Sequence, residues 1–538
     1  MGVDVGGTNT DAVLMDGREV VAWTKAPTTV DVSGGVSAAI KAVLDDAAVP
    51  AAAIASVMIG TTHFTNALVE RRHLSPVGIL RLASPSGEGL PPKTGWPAEL
   101  AAGIGDHVFL LGGGYEVDGR EIAPLDEAGV REAARTLRRK AVSSVAIISA
   151  FAPVNAVMEV QAAAIVKEEF PEAALTLSSA IGRIGLIERE NAAILNAALA
   201  ALAARIMASF GAALHTLGID APLYISQNDG TLVSAAQAAA YPVTTIGSGP
   251  TNSMRGAAFL TGVSDAIVMD VGGTTTDIGV LVNGFPRESS IAVDIGGVRT
   301  NFRMPDILAI GLGGGTRIHL DPMLYGADRL DPKALRIGPD SVGYRILEDA
   351  FLFGGEALTA SDVGVAAGLA HFGAPDRLPA LSETVLAAIS ARIRAMLDDG
   401  VDRMKTSRQD TTILAVGGGA FLVPDRLKGA AAIVRPPHAA VANAVGAAIA
   451  QVGGQVERIV DYEATPRADA LDAMRAEVCA RVVAGGGDPA SVEIVDIEEV
   501  FLSYLPGRAA QVRIKAVGDL AQGADHRPAN TTDLAHAH

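Results

Sequence analysis

The chain is short of several things, and each shortage excludes a class of function. Among 538 residues there is one cysteine, Cys479. An intramolecular disulfide needs two, and a cysteine-held iron–sulfur cluster or zinc finger needs more; all are excluded, and a reducing cytoplasm is the expected compartment. Aromatic residues make up only 4%, too few for a surface that stacks on the bases of RNA or single strands. Positive charge is scarce as well: 43 Lys and Arg against 60 Asp and Glu leave a net charge of −17. A field of that sign repels phosphate backbones and anionic lipid headgroups, so nucleic acid and membranes are not expected partners. An uninterrupted apolar run of membrane length is also missing. The most apolar stretch, residues 191–219, carries Asn191, Asn196, Arg205 and His215, and reads as a buried helix pair. The chain opens on Met1-Gly2-Val3-Asp4, already inside a motif, so no signal peptide is expected ahead of it.

What is plentiful points to an α/β architecture. Apolar residues make up 49% and glycine numbers 59, which suits large cores joined by many tight strand-to-helix turns. A chain of this length divides into two or three domains.

Two segments copy one another. Val3-Asp4-Val5-Gly6-Gly7-Thr8-Asn9-Thr10-Asp11 matches Met269-Asp270-Val271-Gly272-Gly273-Thr274-Thr275-Thr276-Asp277, with an apolar strand following in each case. Each copy reads as a hairpin closed by the Gly-Gly-Thr turn, and Asp16-Gly17 and Asn283-Gly284 supply the next turn in the same register. Repetition at about half the chain length predicts duplicated lobes. Further patterns predict a strand over 145–151, helices over 157–170, 250–260, 383–404 and 439–450, and strands over 223–226 and 412–416. The last predicted strand runs into Gly417-Gly418-Gly419 and an apolar helix. From residue 455 the chain is more charged and reads as a separate small α+β module, with a frayed end from Gln522.

The chemistry follows from the residue types in the repeat. Paired glycines let a backbone approach phosphate closely, and the N–H groups and hydroxyls of Gly6, Gly7, Thr8, Asn9, Gly272, Gly273, Thr274 and Thr275 supply donors. Asp4 and Asp270 repel phosphate, but they suit a Mg²⁺ ion held through water. Asp277 is placed to orient a water. The bare backbone of Gly417-Gly418-Gly419 suits the face of an adenosine. One copy alone is equally well read as an ordinary turn; two copies in register, with a third Gly-rich turn downstream, favour a nucleotide site.

These parts resemble the five-part signature of the actin-like ATPase (ribonuclease H-like) superfold. In that fold two hairpins serve as phosphate loops, a Gly turn binds adenosine, and two helices cross at the hinge, here those around Gly256 and Gly446. A narrower resemblance, over most of residues 1–450, is to the hydantoinase A/oxoprolinase family. It rests on the run from Gly60-Thr61-Thr62-His63 to Leu68, on Gln227-Asn228-Asp229-Gly230, on Ser248-Gly249-Pro250, on Asp270 to Asp277, and on Gly311 to Thr316. Asn9 stands where many members carry Phe, Thr316 where Ser is expected, and His63 where small residues are usual.

The resemblance implies an α/β protein with two duplicated lobes around a nucleotide cleft and a C-terminal α+β module. A first lobe over 1–262 would carry an inserted substrate or partner region. A second lobe would span 263–436, a helix over 437–454 would return to the first lobe, and the module would fill 455–538. It implies ATP and Mg²⁺ as cofactors, and Thr61, Thr62, His63 and Asp229 as candidate substrate contacts. The implied activity is ATP-dependent hydrolysis of a cyclic amide such as a hydantoin, 5-oxoproline or a lactam. The short, separate-subunit type implies a second, hydantoinase B-like or other subunit. A small-molecule kinase and a partner-remodelling ATPase of the same fold stand as alternatives. His319 and Asp321 make half a metal site at most and read as a surface loop.

Overall fold

The computed structural model describes residues 1–521 except 8, 29–31, 290–292, 302–303 and 503–506. Thr8 and the tail from Gln522 therefore lie outside the described residues.

The two copied segments fold alike. In the first, Gly2–Val5 pairs antiparallel with Asn9–Asp16, placing Asp4 opposite Asp11; in the second, Ala266–Val271 pairs with Thr276–Val282, placing Asp270 opposite Asp277. Both turns are closed by one bond of the same length, Gly6 N–H to the Asn9 carbonyl and Gly272 N–H to the Thr275 carbonyl, each 2.9 Å. Each entering strand also has a parallel neighbour, Val57–Thr61 in the first copy and Thr411–Val416 in the second.

Around each hairpin a sheet is built. The first has nine strands in the order Glu493–Phe501, Ala509–Gly518, Gln451–Asp461, Thr231–Ser234, Leu223–Ser226, Val57–Thr61, Gly2–Val5, Asn9–Asp16 and Glu19–Pro27. The C-terminal segment expected as a separate module thus extends this sheet: Gln451–Asp461 pairs in parallel with Thr231–Ser234, and helix Arg467–Ala484 packs on the added strands. The strand Ala509–Gly518 alternates cleanly, with Val512, Ile514 and Ala516 in the core and Arg513 and Lys515 on the other face, but alternation does not say which sheet a strand joins, so the attachment does not show in the sequence. The second sheet runs Phe285–Pro286, Thr276–Val282, Ala266–Val271, Thr411–Val416, Ala430–Val434, with Ile307–Ile310 also on Thr276–Val282. A third, all-parallel sheet of four strands lies within residues 77–177.

The apolar stretch expected as a helix pair is one helix, Leu186–Thr216. One side (Leu195, Leu199, Met207, Phe210) belongs to the core under the nine-stranded sheet, and another (Ala193, Ile194, Ala197) to the core under the four-stranded sheet. A helix clamped between two sheets is apolar around its circumference, and this one has the length and composition of a membrane span while half of that window is buried inside the protein. Its buried Asn196 is satisfied by Thr176 Oγ1 and the Ala240 carbonyl.

The two small-residue helices, Ser248–Thr261 and Ala442–Ala448, cross at backbone contact. A Cβ on Gly256 would lie 1.9 Å from the Ala442 carbonyl oxygen, and one on Gly446 1.8 Å from that of Asn252. Only glycine permits this approach. Ala442–Ala448 also lies on the first hairpin, where a Cβ on Gly2 would meet the Ala444 oxygen at 2.2 Å.

Candidate functional site

The crossing helices hold the carboxylates of the hairpins. Asp4 is buried; Asn443 Nδ2 donates to its Oδ2 at 3.0 Å and Asn252 Nδ2 faces its Oδ1 at 3.4 Å. Asn443 also donates to Asp11 at 2.8 Å. In the second copy Ser253 Oγ donates to Asp270 Oδ2 at 2.5 Å. Asn443 and Ser253 each stand three residues before the glycine of their helix, so the duplication extends to these supporting side chains. Asn252 is the cross-connection, since its helix leads into the second hairpin while its amide faces the carboxylate of the first.

Negative charge is concentrated here. Burial, then the neighbouring Asp11, pushes Asp4 up to about 6, with Asp270 adding to the rise. Burial and then Asp270 push Asp277 up to about 7. Asp270 itself is raised by burial and lowered by its bond from Ser253. The balancing cation is Lys25, whose ammonium lies 2.7 and 2.6 Å from the two Asp11 oxygens. Its stem reaches toward the Gly-rich turn of the second lobe, 4.0 Å from where a Cβ on Gly418 would stand. No motif marks Lys25 or Asn443.

The loop residues expected to donate differ in exposure. Gly7, Thr274, Thr275 and Gly418 are exposed and Gly6, Asn9, Gly272 and Gly273 half-buried. Gly417, at φ +87°, packs its bare Cα against Asp270, where a Cβ would fall 2.3 Å from Oδ1, and Gly419 N–H bonds the Val271 carbonyl at 2.8 Å. The apolar helix expected after this turn is a single 3₁₀ turn, Ala420–Leu422. The Gly311–Thr316 segment props the second phosphate loop from behind: Gly314 and Gly315 donate to the carbonyls of Gly272 and Gly273, at 2.9 and 2.7 Å.

The weaker candidates separate. Thr61 Oγ1 lies 2.5 Å from His63 Nδ1, and burial lowers the His63 pKa, keeping the ring neutral with Nε2 as its second polar atom. Thr62 binds the carbonyl of Val5, at the end of the first phosphate strand, through both its amide and its hydroxyl. Asp229 is a salt-bridge node: Oδ2 pairs with Lys515 at 2.7 Å and Oδ1 takes the Thr231 hydroxyl at 2.6 Å. Lys515 and Arg513 also reach Glu288 of the second lobe, at 3.7 and 3.4 Å, so Asp229 belongs to a charge network that ties the lobes together. His319 bonds Asp340 and Asp321 caps a 3₁₀ turn, both beside a cavity of about 480 Å³ on the second lobe. That cavity carries no donor set for a metal, and among the described residues no three His, Cys, Asp or Glu converge to hold one.

Magnesium fits the hairpin carboxylates on their chemistry. Several acids share one lysine, and all four hairpin carboxylates have raised pKa values, an excess of negative charge that a hard oxygen-seeking cation relieves. Because no three converge, such an ion would take its remaining ligands from water and phosphate. The carboxylates also make a prediction for the metal-free, nucleotide-free protein. Asp277 is an acid whose folded pKa lies above its unfolded 3.8, so its contribution is most favourable below pH 4 and is lost as pH rises to about 7. Asp277→Asn is therefore expected to raise the melting temperature by about 3 °C at pH 8, after discounting for partial exposure, and to leave it nearly unchanged at pH 4. Equal shifts at both pH values would sink the assignment.

Comparison with known proteins agrees with this geometry. Residues 1–170 match the hydantoinase/oxoprolinase N-terminal region and residues 189–372 the hydantoinase/oxoprolinase domain. The chain is 28% identical to the caprolactamase subunit alpha of Pseudomonas jessenii over 395 residues, covering 70% of this chain and 55% of that one. It spans about half the length of the relatives it matches. Its fold is that of the ATP-dependent caprolactamase from Pseudomonas jessenii (TM-score 0.76, 22% identity, 98% and 88% of the two chains) and of nucleotide-free acetone carboxylase (TM-score 0.70, 18% identity, 97% and 88%). Both have an actin-like ATPase-type fold. Matched in order over more than half its length, and folded into two lobes around duplicated hairpins, the chain belongs to the hydantoinase/oxoprolinase family.

Proposed function

We propose that the chain binds ATP between its two hairpins and uses it to open a cyclic amide, as one subunit of a hetero-oligomer in the cytoplasm. The observation that carries this reading is the duplicated hairpin, which sets Asp4 and Asp270 at matching positions, near enough for their charges to interact, and leaves Gly7, Thr274 and Thr275 exposed. A relaxed cyclic amide is a poor electrophile, and transfer of the γ-phosphoryl group to its carbonyl oxygen makes it a good one. In balanced form, the carbonyl oxygen attacks phosphorus and ADP leaves, giving an imidate phosphate. Water adds to the carbon and the ring C–N bond breaks with nitrogen leaving as the amine. A second water cleaves the resulting acyl phosphate to a carboxylate and inorganic phosphate.

Positioning and charge neutralisation are the protein's part. Gly6, Gly7, Asn9, Gly272, Gly273, Thr274 and Thr275, with Thr8, present donors to the phosphates, and Gly417-Gly418-Gly419 takes the adenosine. Asp4 and Asp270 would hold a magnesium ion, which neutralises charge on the β- and γ-phosphates when bound. Lys25, paired with Asp11, supplies a second positive charge, and Asp277 orients a water. The partner is a second subunit of the kind implied by the name of the caprolactamase relative, a subunit alpha.

The test is magnesium-dependent ATP hydrolysis by the purified chain, alone and with the product of a neighbouring gene, against hydantoins, 5-oxoproline and lactams. Stimulation by a ring amide, with ring-opened product forming in step with ADP, is the expected result. Turnover that no ring changes would replace this reading by a kinase or a partner-remodelling ATPase.

A further inference from the structure

Helix Ser248–Thr261 begins without the finish that buried helices normally have. Its cap residue, Gly247, sits at φ +86° and offers no side chain to the first turn. Pro250 has no N–H, and among the described residues the amides of Ser248 and Gly249 donate to no backbone carbonyl. Yet Ser248 and Gly249 are buried, and Ser248 Oγ has no hydrogen-bond partner among those residues. A buried helix start left with free donors is costly, and the cost calls for a ligand.

The neighbours say where that ligand lies. A Cβ on Gly249 would stand 3.8 Å from the Thr62 methyl, and Thr62 is the residue bonded to the end of the first phosphate strand. Ser226 Oγ, also fully buried and unpartnered among the described residues, ends the parallel strand Leu223–Ser226. The register of that strand places Ser226 beside Gly60, on the face that meets Asn252 and Asp4. The free donors thus gather beside the first phosphate loop, at the carboxyl ends of parallel strands, where α/β sheets take their ligands.

The donors of a helix start suit an oxygen acceptor. A hydrogen bond makes the carbonyl that attacks phosphorus a weaker nucleophile, so these donors are better used on a different oxygen of the ring. We propose that Ser248 Oγ and the Ser248 and Gly249 amides bind a second oxygen acceptor on the cyclic amide, a carboxylate or a second carbonyl, and so select oxoproline- and hydantoin-type rings over plain lactams. This deepens the cyclic-amide reading and rests on it.

The experiment measures ring-stimulated ATP hydrolysis by the chain with its partner subunit, using 5-oxoproline, hydantoin and 2-pyrrolidinone, for the native protein and Ser248→Ala. For the native protein, 2-pyrrolidinone is expected to have a kcat/KM at least about tenfold below the better of the other two, which itself distinguishes carboxylate from carbonyl. Ser248→Ala should raise KM for that better ring about tenfold, and KM for 2-pyrrolidinone and for ATP less than twofold. Its melting temperature should hold or rise, because the hydroxyl it removes is unsatisfied. Equal use of 2-pyrrolidinone, an unchanged ring KM in Ser248→Ala, or a fall in melting temperature with all KM values rising would each overturn the proposal. Stimulation by all three rings alike would remove this inference and keep the cyclic-amide reading; stimulation by none, with ATP still bound, would remove both.

Discussion

Asp4→Asn chains are expected to lose at least about three orders of magnitude in ATP turnover while melting no lower than the native protein. The substitution changes charge and almost nothing else. Asp4 is buried, with Asn443 and Asn252 amides facing its two oxygens. The introduced amide would point its NH₂ group at one of them. Asn252 is the one able to answer, because its Oδ1 has no partner among the described residues and its contact is the longer of the two; turning that amide over converts a donor–donor clash into a bond. Burial and Asp11 hold the native carboxyl near 6, so at neutral pH its ionised form costs folding energy that asparagine does not. Function loses what stability gains: a neutral side chain cannot share a divalent cation with Asp270, and such charge stabilisation is worth several kcal/mol in the transition state. Turnover and melting curves of the two proteins at pH 7.5 decide the matter. Turnover within about tenfold of native would remove Asp4 from the machinery.

Much of this site can be read from the chain, for a physical reason. Phosphate loops are local: a strand, two glycines, hydroxyl residues and a second strand occupy one short stretch, and duplication shows it twice. The crossing glycines are likewise visible as small residues at mid-helix. The supporting side chains are hidden because they come from far along the chain. Asn443 reaches Asp4 and Asp11 across 439 and 432 residues, and Asn252 reaches Asp4 across 248; no spacing rule spans such distances. Lys25 is hidden by something smaller. The strands Asn9–Asp16 and Glu19–Pro27 start in register at Asp16 and Glu19, and an irregularity between Leu14 and Met15 shifts the pairing by one residue. Without it Asp11 would oppose Thr24; with it Asp11 opposes Lys25, and the cation joins the cleft. The C-terminal strands and the undivided helix Leu186–Thr216 escaped for a third reason, since which sheet a strand joins, and whether two sheets share one helix, are decided by tertiary packing.

The hinge gives the other large effect. Gly446→Ala is expected to lower the melting temperature by several degrees and cut turnover more than tenfold, although alanine is the better helix former by about 1 kcal/mol. An added Cβ would lie 1.8 Å from the Asn252 carbonyl oxygen and 2.6 Å from its carbon. Neither is the end of a flexible side chain, so the helices must part by about an ångström, and overpacking of this kind costs about 1–3 kcal/mol or more. The displacement falls where it matters, because Asn252 and Asn443 sit on the two helices being separated and both face Asp4. Parting the helices therefore moves the carboxylate's partners as well as the lobes, and a misplacement of that size is enough to lose a hundredfold in rate. Gly211 provides the control: it is exposed on helix Leu186–Thr216 with nothing within 4 Å of where its Cβ would go. Gly211→Ala should leave turnover unchanged and stability equal or slightly higher. If Gly446→Ala behaves like Gly211→Ala in both measurements, the crossing is not the close-packed hinge on which the geometry of Asp4 depends.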